Sequence, residues 1–131
     1  MSPPSLSARI LAGVWALIAS LLAPLLPFYL RRRAIRGKEI TERLPERRGQ
    51  GAARPPGRLI WCHAASNGET LSLLPLLEAL ARQDPALSFL VTTGTVTSAR
   101  LLDQRLSPAL APRTQHRFLP LDVPRWVARF L

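Results

Sequence analysis

Between Ile10 and Leu30 the sequence runs for 21 residues without a charge, through Leu, Ala, Ile and Val with Trp15, Phe28 and Tyr29. No other stretch constrains the chain so strongly. As a helix rising 1.5 Å per residue, the run is long enough to cross a hydrocarbon core about 30 Å thick. Pro24 and Pro27 kink its second half or end the helix early, so a shallow or re-entrant anchor is its other possible form. Trp15 and the Phe28-Tyr29 pair are candidates for interfacial aromatics, although Trp15 lies too centrally for a simple belt. The run exceeds the apolar region of a cleavable signal peptide, about 7–15 residues. Arg31, Arg32, Arg33, Arg36 and Lys38 follow it, with only Arg9 in front. The positive-inside rule then puts everything after Leu30 in the cytoplasm and predicts a retained anchor over residues 1–30.

Arg31 to Arg58 holds ten basic and three acidic residues, which supplies +7 of the chain's +10. Such a charge asks for an anionic partner. No aromatics interleave with the arginines and no binding motif is present, which argues against nucleic acid. The segment reads as a solvated juxtamembrane stretch drawn to an anionic membrane surface, at about 1 kcal/mol per basic residue. Glu39 to Leu44 has the pattern of a short amphipathic helix stopped near Pro45. Gln50 to Gly57, with Gly51, Pro55, Pro56 and Gly57, reads as a linker that closes a basic segment over residues 31–57. The single Cys62 excludes an internal disulfide and leans toward a cytosolic setting.

From Arg58 the texture becomes alternating strand and helix. Strands are predicted at Leu59–His63, Leu87–Thr92 and His116–Leu119. Helices are predicted at Thr70–Arg82, Ser98–Leu106 and from Val123 to Leu131, with Leu71, Leu74, Leu77 and Leu80 or Ala81 on the buried side of the first. Pro75 is expected to kink or split that helix. The second strand is almost continuously apolar, as a parallel strand covered on both faces should be. The fold class is therefore α/β: an N-terminal membrane anchor helix followed by a Rossmann-like parallel β-α-β lobe over residues 58–131. Three strands make half a domain, so the chain is expected to be the front end of a longer enzyme.

The chemistry is expected at the carboxyl ends of these strands. Cys62-His63-Ala64-Ala65-Ser66-Asn67-Gly68-Glu69 is a polar turn between a strand and a helix. Ser66 and Glu69 are spaced as a capping box, with Glu69 reaching back to the Ser66 N–H. The other reading makes Glu69 a general base aimed at a substrate hydroxyl. The two conflict only in part, since a base needs oxygen lone pairs in the cleft and a cap turns one oxygen inward. Gly68 allows close approach of backbone or ligand, and Asn67 either caps the helix or contacts ligand.

His63 and Ser66 do not make a convincing hydrolase. No Gly-x-Ser-x-Gly elbow is present, and neighbours this close in sequence seldom reach triad geometry. His63 is instead a satisfied residue at the sheet edge or a substrate hydrogen-bond donor. No ligand spacing joins it to His116, so no metal site is expected. Thr92-Thr93-Gly94-Thr95-Val96-Thr97-Ser98 forms the second loop at the same edge, able to cap a helix or to bind a sugar hydroxyl, carboxylate or phosphate. Neither a dinucleotide nor a Walker pattern is present, and no cofactor is implied.

Taken in order, the anchor, Arg36-Gly37-Lys38-Glu39, Glu42-Arg43-Leu44, His63-Ala64-x-Ser66-x-Gly68-Glu69, Thr92-Thr93-x-Thr95-x-Thr97, Leu119-Pro120-Leu121-Asp122-Val123-Pro124, Val127 and Arg129-Phe130-Leu131 resemble the amino-terminal part of the 3-deoxy-D-manno-octulosonic acid (Kdo) transferases. The resemblance implies the first, acceptor-binding lobe of a two-lobed GT-B glycosyltransferase of lipopolysaccharide biosynthesis, at the cytoplasmic face of the bacterial inner membrane. It implies CMP-Kdo as donor, bound by a second lobe outside this chain, and the lipid A precursor as acceptor. Transfer inverts configuration without a metal. It maps the catalytic base onto Glu69 and acceptor contacts onto Ser66, Asn67, Gly68, Thr92, Thr93, Thr95 and Thr97. Without a donor lobe, this chain alone is expected to be inactive. Two positions depart from the family pattern: Asn67, where a small apolar residue is usual, and Ser98, where Gly is common. The rival reading is a non-catalytic membrane-anchored module that binds lipid or a partner, in which the capping box only caps.

Overall fold

A computed structural model describes residues 5–131. The apolar run does not form one helix. It divides into α1 (Leu6–Leu22) and α2 (Leu26–Ile35), bent by 68° across the break that contains Pro24. Among the described residues no single helix is long and apolar enough to cross a membrane, although the bent pair passes on length and composition together. Pro24 supplies no N–H and clashes with the preceding turn, which explains the break; Pro27 sits in the first turn of α2, where it is tolerated. Ala19 and Ala23 are the buried residues near the end of α1, while Leu6, Ile10, Leu11, Leu17 and Leu21 are exposed. The Trp15 indole N–H donates to the Asp122 carboxylate and ties α1 to the rest of the fold.

A 3-10 helix, Thr41–Arg48, follows. The expected stop at Pro45 does not occur: the short helix expected over Glu39–Leu44 starts at Thr41 and runs on to Arg48. Side chains three apart line up on a 3-10 helix. Arg43 accordingly grips Glu46 through two bonds of 2.6 and 2.8 Å. The helix ends at Gly49, whose φ of +75° is left-handed and whose missing Cβ makes room for the Trp126 carbonyl.

The sheet comprises β1 (Leu59–Ala64), β2 (Ser88–Thr93) and β3 (Thr114–Phe118), all parallel and in that order. The strand-helix alternation read from the sequence is present, with boundaries moved by up to three residues, the largest move being the start of its first helix from Thr70 to Asn67. Register decides the faces. Ile60 and Cys62 lie level with Phe89 and Val91 and face α3 (Asn67–Gln83) and α4 (Val96–Arg105). Leu77, Leu87, Phe89, Val91, Leu102 and Leu110 form the core there. On the opposite face the rings of Trp61 and Phe130 stand 5.3 Å apart, and the latter belongs to α5 (Pro124–Phe130). Ala23 joins this side through Val123 and Trp126.

Helix α3 runs unbroken through Pro75. The proline is on the exposed side, and the carbonyl it cannot serve belongs to Leu71, itself exposed. Leu71 was expected inside; Leu73 packs against the core in its place.

The outer edge of β3 is met by side chains. The Phe118 N–H donates to Glu46 at 2.7 Å, and Arg43 donates to the His116 carbonyl at 3.1 Å. This ion pair stands where a fourth strand would bond, and so blunts an edge that would otherwise invite pairing. The basic segment is therefore not simply solvated: Glu39 and Arg47 are buried within it.

Candidate active site

Strand β1 ends at Ala64, and the extended backbone of Ser66 turns the chain into α3. The Ser66 hydroxyl accepts the Glu69 N–H at 3.2 Å, as an N-cap should. The reciprocal bond is shifted by one residue from the expected box. Glu69 Oε2 accepts the Ala65 N–H at 2.8 Å, and Oε1 accepts the Ser66 hydroxyl at 3.3 Å. The extended Ser66 leaves the Ala65 amide facing the helix start, which explains the shift. Each carboxylate oxygen is engaged once. An ionised carboxylate offers about four lone-pair sites, so both oxygens retain accepting capacity. Glu69, Asn67 and Gly68 are exposed.

The second loop is organised the same way. Thr95 caps α4, its hydroxyl accepting the Ser98 N–H at 3.1 Å and donating to the Ser98 hydroxyl at 2.9 Å. Ser98, only 1% exposed, passes the chain on to the Asn67 side-chain oxygen at 2.8 Å. The two helix starts are thus pinned together by a bond between Asn67 and Ser98, the two residues that depart from the resembled pattern. The first amides of each helix have no intrahelical acceptor and lie along this edge.

Among the site residues expected from the sequence, Ser66, Asn67, Gly68, Glu69, Thr95 and Thr97 are all exposed in the two loops and first helical turns at the carboxyl edge. Thr92 and Thr93 do not line it, because both are fully buried. The Thr92 hydroxyl accepts the Trp61 indole N–H at 3.0 Å, and the Thr93 hydroxyl donates to the Thr95 carbonyl at 3.3 Å. His63 pairs through Nδ1 with Thr92 at 3.0 Å while Ser66 pairs with Glu69, so no His–Ser dyad forms. Among the described residues no group of three or more His, Cys, Asp or Glu is placed to hold a metal ion. Burial raises the Cys62 thiol above its usual value, as expected for an inert residue packed against the core.

Sequence reasoning missed the supports beneath this edge. His116 is pushed down to about 4, first by burial and then by the Arg43 guanidinium, with Glu46 pulling the other way. A neutral ring fits its partners: Nδ1 accepts from Arg43 at 2.8 Å and Nε2 donates to the Thr93 hydroxyl at 3.0 Å. Arg47 reaches the Gly94 carbonyl at 2.7 Å and the Leu119 carbonyl at 3.1 Å. The signal was present in the acids at Glu39 and Glu46 that interrupt the arginine run. A purely solvated segment has no need of them.

A parallel α/β lobe with a carboxylate and two polar helix starts at one sheet edge is of the Rossmann-like class, in which ligand sites commonly lie outside the carboxyl ends of the strands. The chain belongs to the 3-deoxy-D-manno-octulosonic-acid transferase (kdotransferase) family, whose model matches residues 42–131. It is 38% identical over 111 residues, 84% of its own length, to the probable mitochondrial 3-deoxy-D-manno-octulosonic acid transferase of Arabidopsis thaliana, of which it covers 24%. Over 106 residues (80% of the chain) it is 38% identical to the Rickettsia bellii 3-deoxy-D-manno-octulosonic acid transferase, covering 24% of it. The Haemophilus influenzae transferase of the same name is 33% identical over 82% of the chain, which covers 25% of that relative. The chain spans about a quarter of the length of the curated relatives it matches. No solved structure matches it.

Proposed function

We propose that this chain is the acceptor-facing lobe of a Kdo transferase. CMP-Kdo is the donor, and a hydroxyl of the lipid A precursor is the acceptor. Glu69 takes the hydroxyl proton as the oxygen bonds to the anomeric carbon of Kdo. The bond from that carbon to the phosphate of CMP breaks with its electron pair, and configuration inverts. Ser66 orients the base, while Asn67, Gly68, Thr95 and Thr97 face the acceptor. The donor site belongs to the part of the relatives that this chain does not span.

The observation that carries the reading is the Glu69 carboxylate, exposed at the sheet edge and held by the Ala65 N–H and the Ser66 hydroxyl with lone pairs to spare. The bent α1–α2 pair and the arginines after it suit a seat on an anionic membrane, at the cytoplasmic face of the bacterial inner membrane where a bisphosphorylated glycolipid is met. One observation favours the rival module: both Glu69 oxygens are already engaged in capping.

Glu69→Gln separates the two readings. The lobe is joined to the remaining length of the Haemophilus influenzae relative, and transfer of Kdo to lipid A disaccharide is followed. A Gln oxygen still accepts the Ala65 N–H, so folding persists, whereas turnover drops by roughly 10²–10⁴-fold. Near-normal turnover in a folded variant sinks the general-base assignment and leaves the cap.

A further inference from the structure

The pair Glu39–Arg47 is buried directly under the second loop, and nothing in the chemistry above uses it. The Glu39 and Arg47 side chains are 3% and 5% exposed. Arg47 Nε and Nη2 donate to the Glu39 carboxylate at 3.0 and 3.2 Å. The same guanidinium reaches out of the pair to two backbone carbonyls. It donates to Gly94 at 2.7 Å and to Leu119 at 3.1 Å, immediately beyond the ends of β2 and β3. Its plane also lies over the Phe118 ring, 4.6 Å from the centroid. On the other side, Arg33 at the end of α2 donates to Glu39 at 3.1 Å.

Burying two charges is expensive, and a buried ion pair is weak evidence for stability because an apolar pair of similar volume often serves as well. What an apolar pair cannot do is hold two carbonyls at a fixed separation. Arg is suited to this because its planar fork carries five N–H donors in fixed directions, whereas Lys is a flexible point charge. Gly94 precedes Thr95, which caps α4 and, through Ser98, fixes Asn67. Of the two carbonyls that Arg47 holds, one therefore immediately precedes the residue that caps α4.

We infer that Arg47, oriented by Glu39, is a positioning residue for acceptor binding: it sets the Gly94–Thr95 turn and thereby the spacing of the two helix starts at the sheet edge. Arg33 extends the same network to α2, so the loop is tied to the end of the helix pair. This inference rests on the reading of that edge as the acceptor site.

The test uses the paired variant Glu39→Met with Arg47→Met, which leaves no unpaired buried charge, and Arg47→Lys, which keeps the charge but loses the fork. Amide exchange is measured at Ser98, Ala99 and Leu119, whose N–H groups bond the Thr95 hydroxyl, the Thr95 carbonyl and the Thr93 carbonyl. Affinity for bisphosphorylated lipid A disaccharide in detergent micelles is measured beside it. Both variants are expected to melt within a few degrees of the parent. Exchange at those three amides should rise on the order of tenfold while α3 stays protected, and acceptor affinity should fall on the order of tenfold. A folded variant of either kind with parental exchange and affinity overturns the inference. Faster exchange with unchanged affinity supports the positioning role and overturns the acceptor reading of the loop instead. Loss of protection throughout α3 in both variants marks the pair as merely structural and also overturns it.

Discussion

At the scale of residues, the loops at the sheet edge are held by short polar bonds whose partners differ from those a one-dimensional reading selects. Ser66 and Glu69 were recognisable from their spacing, because capping is local and three residues apart. The Asn67–Ser98 bond was not, since it joins residues 31 apart in sequence and depends on how α3 and α4 pack. Ser98→Ala removes a buried hydroxyl that is bonded on both sides. It should cost about 1 kcal/mol in denaturant unfolding, and a cycle with Asn67→Ala should show coupling of 0.5–1.5 kcal/mol. Independent effects would mean that the bond does not tie the helices. His116 carries a pH signature. Its folded value of about 4 lies below the ordinary 6.5, so between those values the unfolded chain binds a proton that the folded one refuses. Stability is full above about pH 6.5 and declines as pH falls toward 4, by up to roughly 1.4 kcal/mol per unit. His116→Gln should flatten that part of the pH–stability curve; an unchanged slope would place the proton elsewhere.

At the scale of elements, strands and helices from Leu59 onward were legible because their hydrophobic periods differ. The misses have local causes. Leu71 and Leu73 both satisfy a helical period within error, and only packing against the sheet selected Leu73. Pro75 reads as a breaker, yet on an exposed face it costs one carbonyl that water can serve. The basic segment hid its structure because charge runs are usually solvated, whereas the 3-10 helix buries Arg47 and half-buries Arg43 and Glu46 against β3 and the loops beyond it. The division of the apolar run at Pro24 was foreseen as a kink, and it makes the α1–α2 pair an angled surface rather than a single span. If that pair seats the lobe on anionic lipid, vesicles containing phosphatidylglycerol should bind the chain, and binding should weaken as salt screens Arg31, Arg32, Arg36 and Lys38. Replacing those four with Gln should reduce affinity by about tenfold or more. Equal binding to neutral vesicles would remove the electrostatic part of the account.

At the scale of the whole molecule, the N-terminal helices, the buried charge network and the sheet edge form one connected path. Trp15 and Ala23 dock the helix pair on α5 and the loop before it, Arg33 continues it to Glu39, and Arg47 ends it at Gly94. The parallel sheet explains why the polar loops gather on one side, since every strand delivers its carboxyl end there. The curated relatives are about four times as long as this chain. The central claim is that this edge receives the lipid A precursor. Titrating bisphosphorylated lipid A disaccharide into the folded chain in detergent micelles, with backbone amides followed by NMR, tests it most directly. Saturable shifts at Gly68, Glu69, Thr95 and Thr97 are predicted; shifts confined to α1, α2 and the basic segment, with those four residues unmoved, would contradict it.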